Sequence, residues 1–191
     1  MPVIVLPVFC LAQESGAKTQ RWSVQGEILS QTTGAYSSSI RIPGIARQLS
    51  DGKGVKAGVE YTWRKTRKIE LFQDLSLMQY WHRGQENGTS AATSVGYRHF
   101  FNNVYAEGFL GAGYWHTRFS RRRTWQDENG VFHSGKFVTG SWAPSVGLGA
   151  GYHASRRWDI YVRYSHHTRL PDETHNMRHH RTLNAGVRRN L

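Results

Sequence analysis

The densest group of chemically active side chains lies near the C-terminus. Residues 163–168 are Arg-Tyr-Ser-His-His-Thr, and the polar stretch after them adds carboxylates and imidazoles at Asp172, Glu173, His175, His179 and His180. Imidazole, hydroxyl and carboxylate groups together are the types that nucleophilic catalysis uses. Clustered imidazoles also suit zinc, copper or nickel, but no tight ligand spacing occurs on a single element. We therefore predict no metal site and no cofactor.

The elements that must position these residues alternate with a period of two. In segment 54–63 the apolar parity is Val55, Ala57, Val59, Tyr61 and Trp63, and the other parity is Lys56, Gly58, Glu60 and Thr62. This alternation is typical of strands with one apolar face. A soluble sandwich also alternates, but its outward set would be long and charged. Here the polar set is small or sparsely charged, as a narrow lumen requires.

Eight such segments can be placed, at 21–30, 54–63, 69–82, 89–100, 103–119, 138–152, 158–168 and 181–191. Short connectors, 64–68, 101–103 and 154–157, alternate with mostly longer ones, 31–53, 83–88, 120–137 and 169–180. An even strand count with alternating connector lengths is the pattern of an antiparallel transmembrane β-barrel. The sequence thus predicts an all-β barrel with short periplasmic turns, longer extracellular loops and both termini in the periplasm.

Charged residues of the inward parity carry both signs. They are Glu27, Lys56, Glu60, Glu70, Asp74, Arg98, Glu107, Asp159, Arg163 and Arg188. The lumen of an eight-stranded barrel is only wide enough for side chains to fill, so a salt-bridged plug is expected and an open pore is not. Structural pairing is the favoured interpretation of these carboxylates over a catalytic cluster.

The first twelve residues differ from the rest of the chain. They are apolar and end in a small-residue stretch before Gln13, which indicates a signal peptide with a truncated start. We assign 1–12 to this peptide, 13–20 to a lead-in and 21–191 to the barrel. The single cysteine, Cys10, would leave with the leader, which excludes a disulfide framework. The mean hydropathy of −0.59, with no long apolar run, excludes a transmembrane helix.

The net charge of +12 raises the question of nucleic-acid binding. Many of the basic residues, however, lie in the predicted connectors and few lie in the strands, so no nucleic-acid partner is predicted. Such clusters would instead meet lipid headgroups and the anionic lipopolysaccharide of an outer membrane. We predict lipopolysaccharide contact for Arg121, Arg122 and Arg123, because guanidinium groups pair bidentately with phosphate. Solvated loops without a ligand are the alternative.

In its architecture the chain resembles the small outer-membrane barrels of the OmpA/OmpX type over almost all of its length after the leader. The resemblance implies a bacterial outer-membrane location, insertion by the barrel-assembly machinery and a monomeric state, and it implies little about activity. The final residues, Arg188-Arg189-Asn190-Leu191, lack the terminal aromatic of such barrels, although Leu191 keeps the apolar position.

The run at 163–168 is also similar to the Arg-aromatic-x-His-x-Ser-Asn stretch of lipid A deacylases, which are eight-stranded barrels too. This resemblance implies His166 as general base, Thr168 as nucleophile and Glu173 as the acid that orients the imidazole. Thr168 stands where the family has Ser, and Arg169 stands where it has Asn.

The function predicted from the sequence is that of a non-enzymatic, integral outer-membrane barrel, porin-like in architecture, with a structural or surface-interaction role. One alternative is a diverged lipid A deacylase-like hydrolase acting on acyl esters. A second is a secreted lipocalin-like barrel, in which the apolar parity would point inward and line a ligand cavity.

Overall fold

The computed structural model describes residues 21–34, 52–82, 86–126, 129–170 and 178–191. These residues form eight strands: β1 (Trp22–Gly34), β2 (Gly52–Lys65), β3 (Ile69–His82), β4 (Glu86–Phe101), β5 (Val104–Gln126), β6 (Phe132–His153), β7 (Trp158–Arg169) and β8 (Arg178–Asn190). Each strand pairs antiparallel with its sequence neighbour, and β1 pairs with β8 to close the barrel. Within these ranges no helix is long and apolar enough to cross a membrane. The predicted leader and lead-in, residues 1–20, lie outside the described residues.

Tight connections join the strands at one end, which we call the turn end. Between β4 and β5 only Asn102 and Asn103 intervene, and Asn102 adopts a φ of 60°, a conformation that Asn tolerates better than most residues. Thr66 closes the β2–β3 turn, because its backbone N–H donates to the carbonyl of Ile69 at 2.7 Å. Both chain termini of the barrel lie at this end, where the N–H of Leu191 donates to the carbonyl of Trp22.

At the opposite end, which we call the loop end, the strands run into all four predicted connectors and cover at least half of two of them. Segments 83–88 and 120–137 were predicted as loops, but β4 begins at Glu86, and β5 and β6 extend to Gln126 and from Phe132. The strands continue past the apolar band because backbone pairing does not require apolar side chains. His82 pairs directly with Glu86, and Gln126 pairs with Phe132.

As a result, β5 and β6 form a two-stranded ribbon that rises above the barrel. Pairing of β5 with β4 ends at Phe119, and beyond it β5 pairs only with β6, at residues 122–126. At a rise of about 3.4 Å per residue, the ribbon extends roughly 20 Å beyond the end of β4. A register shift between Arg118 and Arg122 marks where it leaves the barrel wall.

The apolar parity faces outward on all eight strands. Ile28 is 69% exposed, Leu110 is 67% exposed and Leu148 is 69% exposed. Aromatic side chains predicted to form the two girdles are also exposed, at Trp22, Trp63, Trp81, Tyr97, Phe101, Trp142, Tyr152 and Trp158. An apolar outer band with aromatic borders is the surface that a bilayer requires. The lipocalin-like alternative needs this parity to point inward, so its expectation is wrong.

Candidate functional site

The turn half of the lumen contains a network of buried ion pairs, which we call the turn-side network. Its centre is Arg98, whose guanidinium lies 3.0 Å from Glu60, 2.5 Å from Glu70 and 2.8 Å from Glu107. Arg163 also pairs with Glu60 and Glu107, and Arg188 pairs with Glu60 and Asp159. All ten charged residues predicted to point inward are in the lumen and in this network: Glu27, Lys56, Glu60, Glu70, Asp74, Arg98, Glu107, Asp159, Arg163 and Arg188.

Strand register creates these pairs. Arg98 on β4 stands directly opposite Glu70 on β3 and opposite Glu107 on β5. Asp159 on β7 stands opposite Arg188 on β8 in the same way. Since opposite residues on one face are about 5 Å apart, their charges meet without distortion of the backbone.

Glycines on the inner face make room for the large side chains of the lumen. A Cβ at Gly96 would clash with the ring of Phe72, and a Cβ at Gly147 would clash with the ring of Phe109. The ring of Phe72 in turn packs under the Arg98 guanidinium, 4.3 Å from its carbon. Small and large residues therefore alternate across the lumen, which fills this half with side chains.

The loop half of the lumen contains a second polar group, which we call the loop-side cluster and define as Tyr80, Glu86, Trp115, Thr117, Arg169 and His180. The hydroxyl of Tyr80 lies 2.9 Å from Thr117 Oγ1 and donates to Glu86 at 3.3 Å. Arg169 donates to Ser141 Oγ at 2.7 Å and to Thr117 Oγ1 at 3.0 Å. The rings of Trp115 and His180 are 4.8 Å apart.

Sequence reasoning missed the loop-side cluster. Glu86 was assigned to a loop, and Arg169 was considered only as a departure from the deacylase stretch. The alternation along β7 could have revealed Arg169. It lies six residues after Arg163 and therefore on the same inward face, and the strand continues to Arg169. Both residues are buried, with Glu86 1% exposed and Arg169 2% exposed.

A third polar group lies on the outer face of β7 and β8. His166 and Thr168 point outward, as the alternation indicates, and both are partly buried. Nδ1 of His179 lies 3.2 Å from His166 Nε2 and 3.2 Å from Thr168 Oγ1. The hydroxyl of Thr168 thus contacts His179 on the adjacent strand rather than His166. Glu173 and His175 lie outside the described residues.

The remaining predicted contacts are only partly described. The backbone of Arg121, Arg122 and Arg123 belongs to the β5 part of the ribbon, and the side chains of these arginines lie outside the described part of the structure. Among the described residues, no group of three or more His, Cys, Asp or Glu side chains is arranged to hold a metal ion.

The fold agrees with that of known outer-membrane barrels. The chain is similar to Neisserial surface protein A, with a TM-score of 0.61 and 15% identity, covering 89% of this chain and 97% of that one. It also matches Ail, the attachment invasion locus protein of Yersinia pestis, with a TM-score of 0.49 and 14% identity over 89% and 99% of the chains. The outer-membrane enzyme PagL matches with a TM-score of 0.45 and 14% identity over 86% and 97%.

No protein-family profile and no curated protein sequence matches the chain. At these identities the structural likeness establishes the fold, which is that of the small eight-stranded outer-membrane barrels.

Proposed function

We propose that this chain is an integral outer-membrane protein that closes its own lumen and acts through the surface at its loop end, by contact with lipopolysaccharide. The turn end and both termini then face the periplasm. Delivery by the barrel-assembly machinery and a monomeric state belong to the same proposal.

The β5–β6 ribbon carries this proposal. It extends beyond the strands on either side of it, so this part of its backbone pairs with neither β4 nor β7. Its β5 strand contains Arg121, Arg122 and Arg123, and Lys136 on β6 stands opposite Arg122. In this proposal the basic ribbon binds the phosphates of lipopolysaccharide, and the charge-assisted pairing of guanidinium with phosphate supports it.

The turn-side network supports a role at the surface rather than in transport. Six carboxylates and three guanidiniums occupy the turn half of the lumen, and Arg98, Arg163 and Arg188 are each at most 1% exposed. A route for solutes would have to cross this layer. Function is therefore expected on the outside of the barrel and at its loop end.

The test is a binding assay on the refolded protein with vesicles that contain lipopolysaccharide. The variant replaces Arg121, Arg122 and Arg123 with Gln. The matched control replaces Arg64, Arg67 and Lys68, which lie at the turn end, with Gln as well. We expect the ribbon variant to bind about tenfold more weakly, as loss of one or more charge-assisted contacts implies, and the control to bind as the wild type does. Equal binding of all three proteins would contradict the proposal.

A lipid A deacylase-like activity is the second candidate, and the contact between Thr168 and His179 favours it. In that reaction Thr168 Oγ1 would attack an acyl carbonyl while an imidazole takes its proton and returns it to the sugar oxygen as the acyl C–O bond breaks, and water would then hydrolyse the acyl-threonine. The contact with Thr168 Oγ1 supports His179 as that imidazole. Mass spectrometry of lipid A after incubation with the protein tests it. Acyl loss that disappears in Thr168→Val and His179→Gln, but persists in the exposed control His116→Gln, would establish the activity. Unchanged lipid A would exclude it.

A further inference from the structure

The loop-side cluster contains a buried charge without an ionic partner. Arg169 is 2% exposed, and its hydrogen bonds go to two neutral hydroxyl groups, on Ser141 and Thr117. It forms no ion pair with any carboxylate in the described part of the chain. Glu86 already accepts from Tyr80 and pairs with Arg178 at 3.3 Å. Glu86 is near enough to act electrostatically on Arg169 but forms no ion pair with it. A buried guanidinium with no carboxylate in contact is costly, and a bound anion would reduce that cost.

Unused hydrogen-bond donors lie beside this charge. The indole nitrogen of Trp115 can only donate, and it has no partner although Trp115 is 1% exposed. The side-chain amide nitrogen of Gln31 lies 2.7 Å from Nδ1 of His180. In this amide orientation Nδ1 accepts and the neutral ring carries its proton on Nε2, while the nearest Glu86 oxygen is 3.6 Å from Nδ1, beyond hydrogen-bond distance. Nε2 also has no partner, and His180 is fully buried.

Strand register brings the three groups together. Trp115 on β5 stands opposite Ser141 on β6, whose hydroxyl binds Arg169. His167, two residues before Arg169, stands opposite His180 on β8, and its ring is 5.1 Å from that of Trp115. A positive charge and two unused N–H donors therefore line one level of the lumen. Buried donors are almost always paired in folded proteins, so their common location points to a ligand that accepts hydrogen bonds.

We propose that the loop-side cluster binds a small monovalent anion, of halide or carboxylate size, through Arg169, Trp115 and His180. Water could satisfy the donors but would leave the guanidinium without an anion in contact, which is why the geometry favours an anion. This site lies inside the barrel and does not depend on lipopolysaccharide binding by the ribbon.

The first test uses bromide as the probe. Crystals of the folded, full chain soaked in sodium bromide are measured at the bromine absorption edge. We expect an anomalous peak in contact with the Arg169 guanidinium and the Trp115 indole nitrogen. Bromide peaks on the protein surface but none at the loop-side cluster would overturn the proposal.

A second test in solution varies chloride at constant ionic strength, with the bulky six-carbon anion gluconate, which exceeds the size of the proposed site, making up the balance. A ligand that binds only the folded state raises its stability with concentration, so the unfolding midpoint of the wild type should rise with chloride. In Trp115→Phe, which removes the donor but keeps an aromatic ring, the chloride concentration for half the effect should rise about tenfold. Arg169→Met should abolish the effect, and the exterior control Arg118→Met should leave it unchanged.

The same chloride dependence in the wild type, Trp115→Phe and Arg118→Met would overturn the proposal. If Arg169→Met fails to fold, the decision rests on Trp115→Phe and on the bromide map of the wild type, neither of which needs that variant.

Discussion

The two halves of the lumen handle buried charge in different ways. In the turn-side network each guanidinium contacts more than one carboxylate. The single carboxylate of Glu60 also contacts three guanidiniums, those of Arg98, Arg163 and Arg188. In the loop-side cluster Arg169 contacts only hydroxyl groups, and donors on Trp115 and His180 have no partner. The comparison indicates that the turn half is a structural plug, whereas the loop half has hydrogen-bond donors that a ligand can use.

Of the substitutions that test this difference, Glu60→Gln should lower the free energy of unfolding the most. The change leaves three buried guanidiniums with one carboxylate fewer, and breaking a buried ion pair typically costs about 3–5 kcal/mol. We expect a loss of that size in the free energy of unfolding, measured by urea titration of the refolded protein in detergent. A loss below 1 kcal/mol, on the order of a surface pair, would show that the turn-side network does not stabilise the barrel.

The glycines that give the lumen its packing should have the next largest effect. Gly96→Ala places a methyl group against the ring of Phe72, under Arg98, and overpacking of this kind costs about 1–3 kcal/mol. The matched control is Gly26→Ala on the outer face, where a Cβ would meet no atom within 4 Å. We expect the control to be neutral or slightly stabilising. Equal unfolding midpoints for both variants would contradict a tightly filled lumen.

The smallest effect should come from Glu86→Gln in the loop-side cluster. Glu86 pairs with Arg178, which is partly exposed, and accepts from Tyr80, so the loss should be about 1 kcal/mol. Because the change removes a negative charge near Arg169, stabilisation of the protein by chloride should also increase. A destabilisation as large as that of Glu60→Gln would remove the distinction between the two halves.

Much of the fold is predictable from the sequence because a barrel strand repeats a simple rule. Alternate residues face lipid, and the predicted parity is correct from Trp22 on β1 to Val187 on β8. The ten inward charges follow from the same rule. The lengths of β5 and β6 do not, because above the apolar band no side-chain pattern distinguishes a paired ribbon from a polar loop.

The sites are less predictable because they depend on contacts between strands. Parity places His166 and Thr168 on the outer face, but only the register of β7 with β8 brings His179 to Thr168. Likewise, no local feature shows that Arg169 binds Ser141 and Thr117, which are on two other strands. Such pairings are set by the shear of the closed barrel rather than by local sequence.

Closure of the lumen by the turn-side network is tested most directly by electrical recording across a planar bilayer. We expect that the refolded wild-type protein, inserted at a density verified by antibody or label, gives no steady ion conductance above that of the lipid alone. Stable single-channel steps from the wild type would contradict a closed lumen and would move the function from the surface to transport.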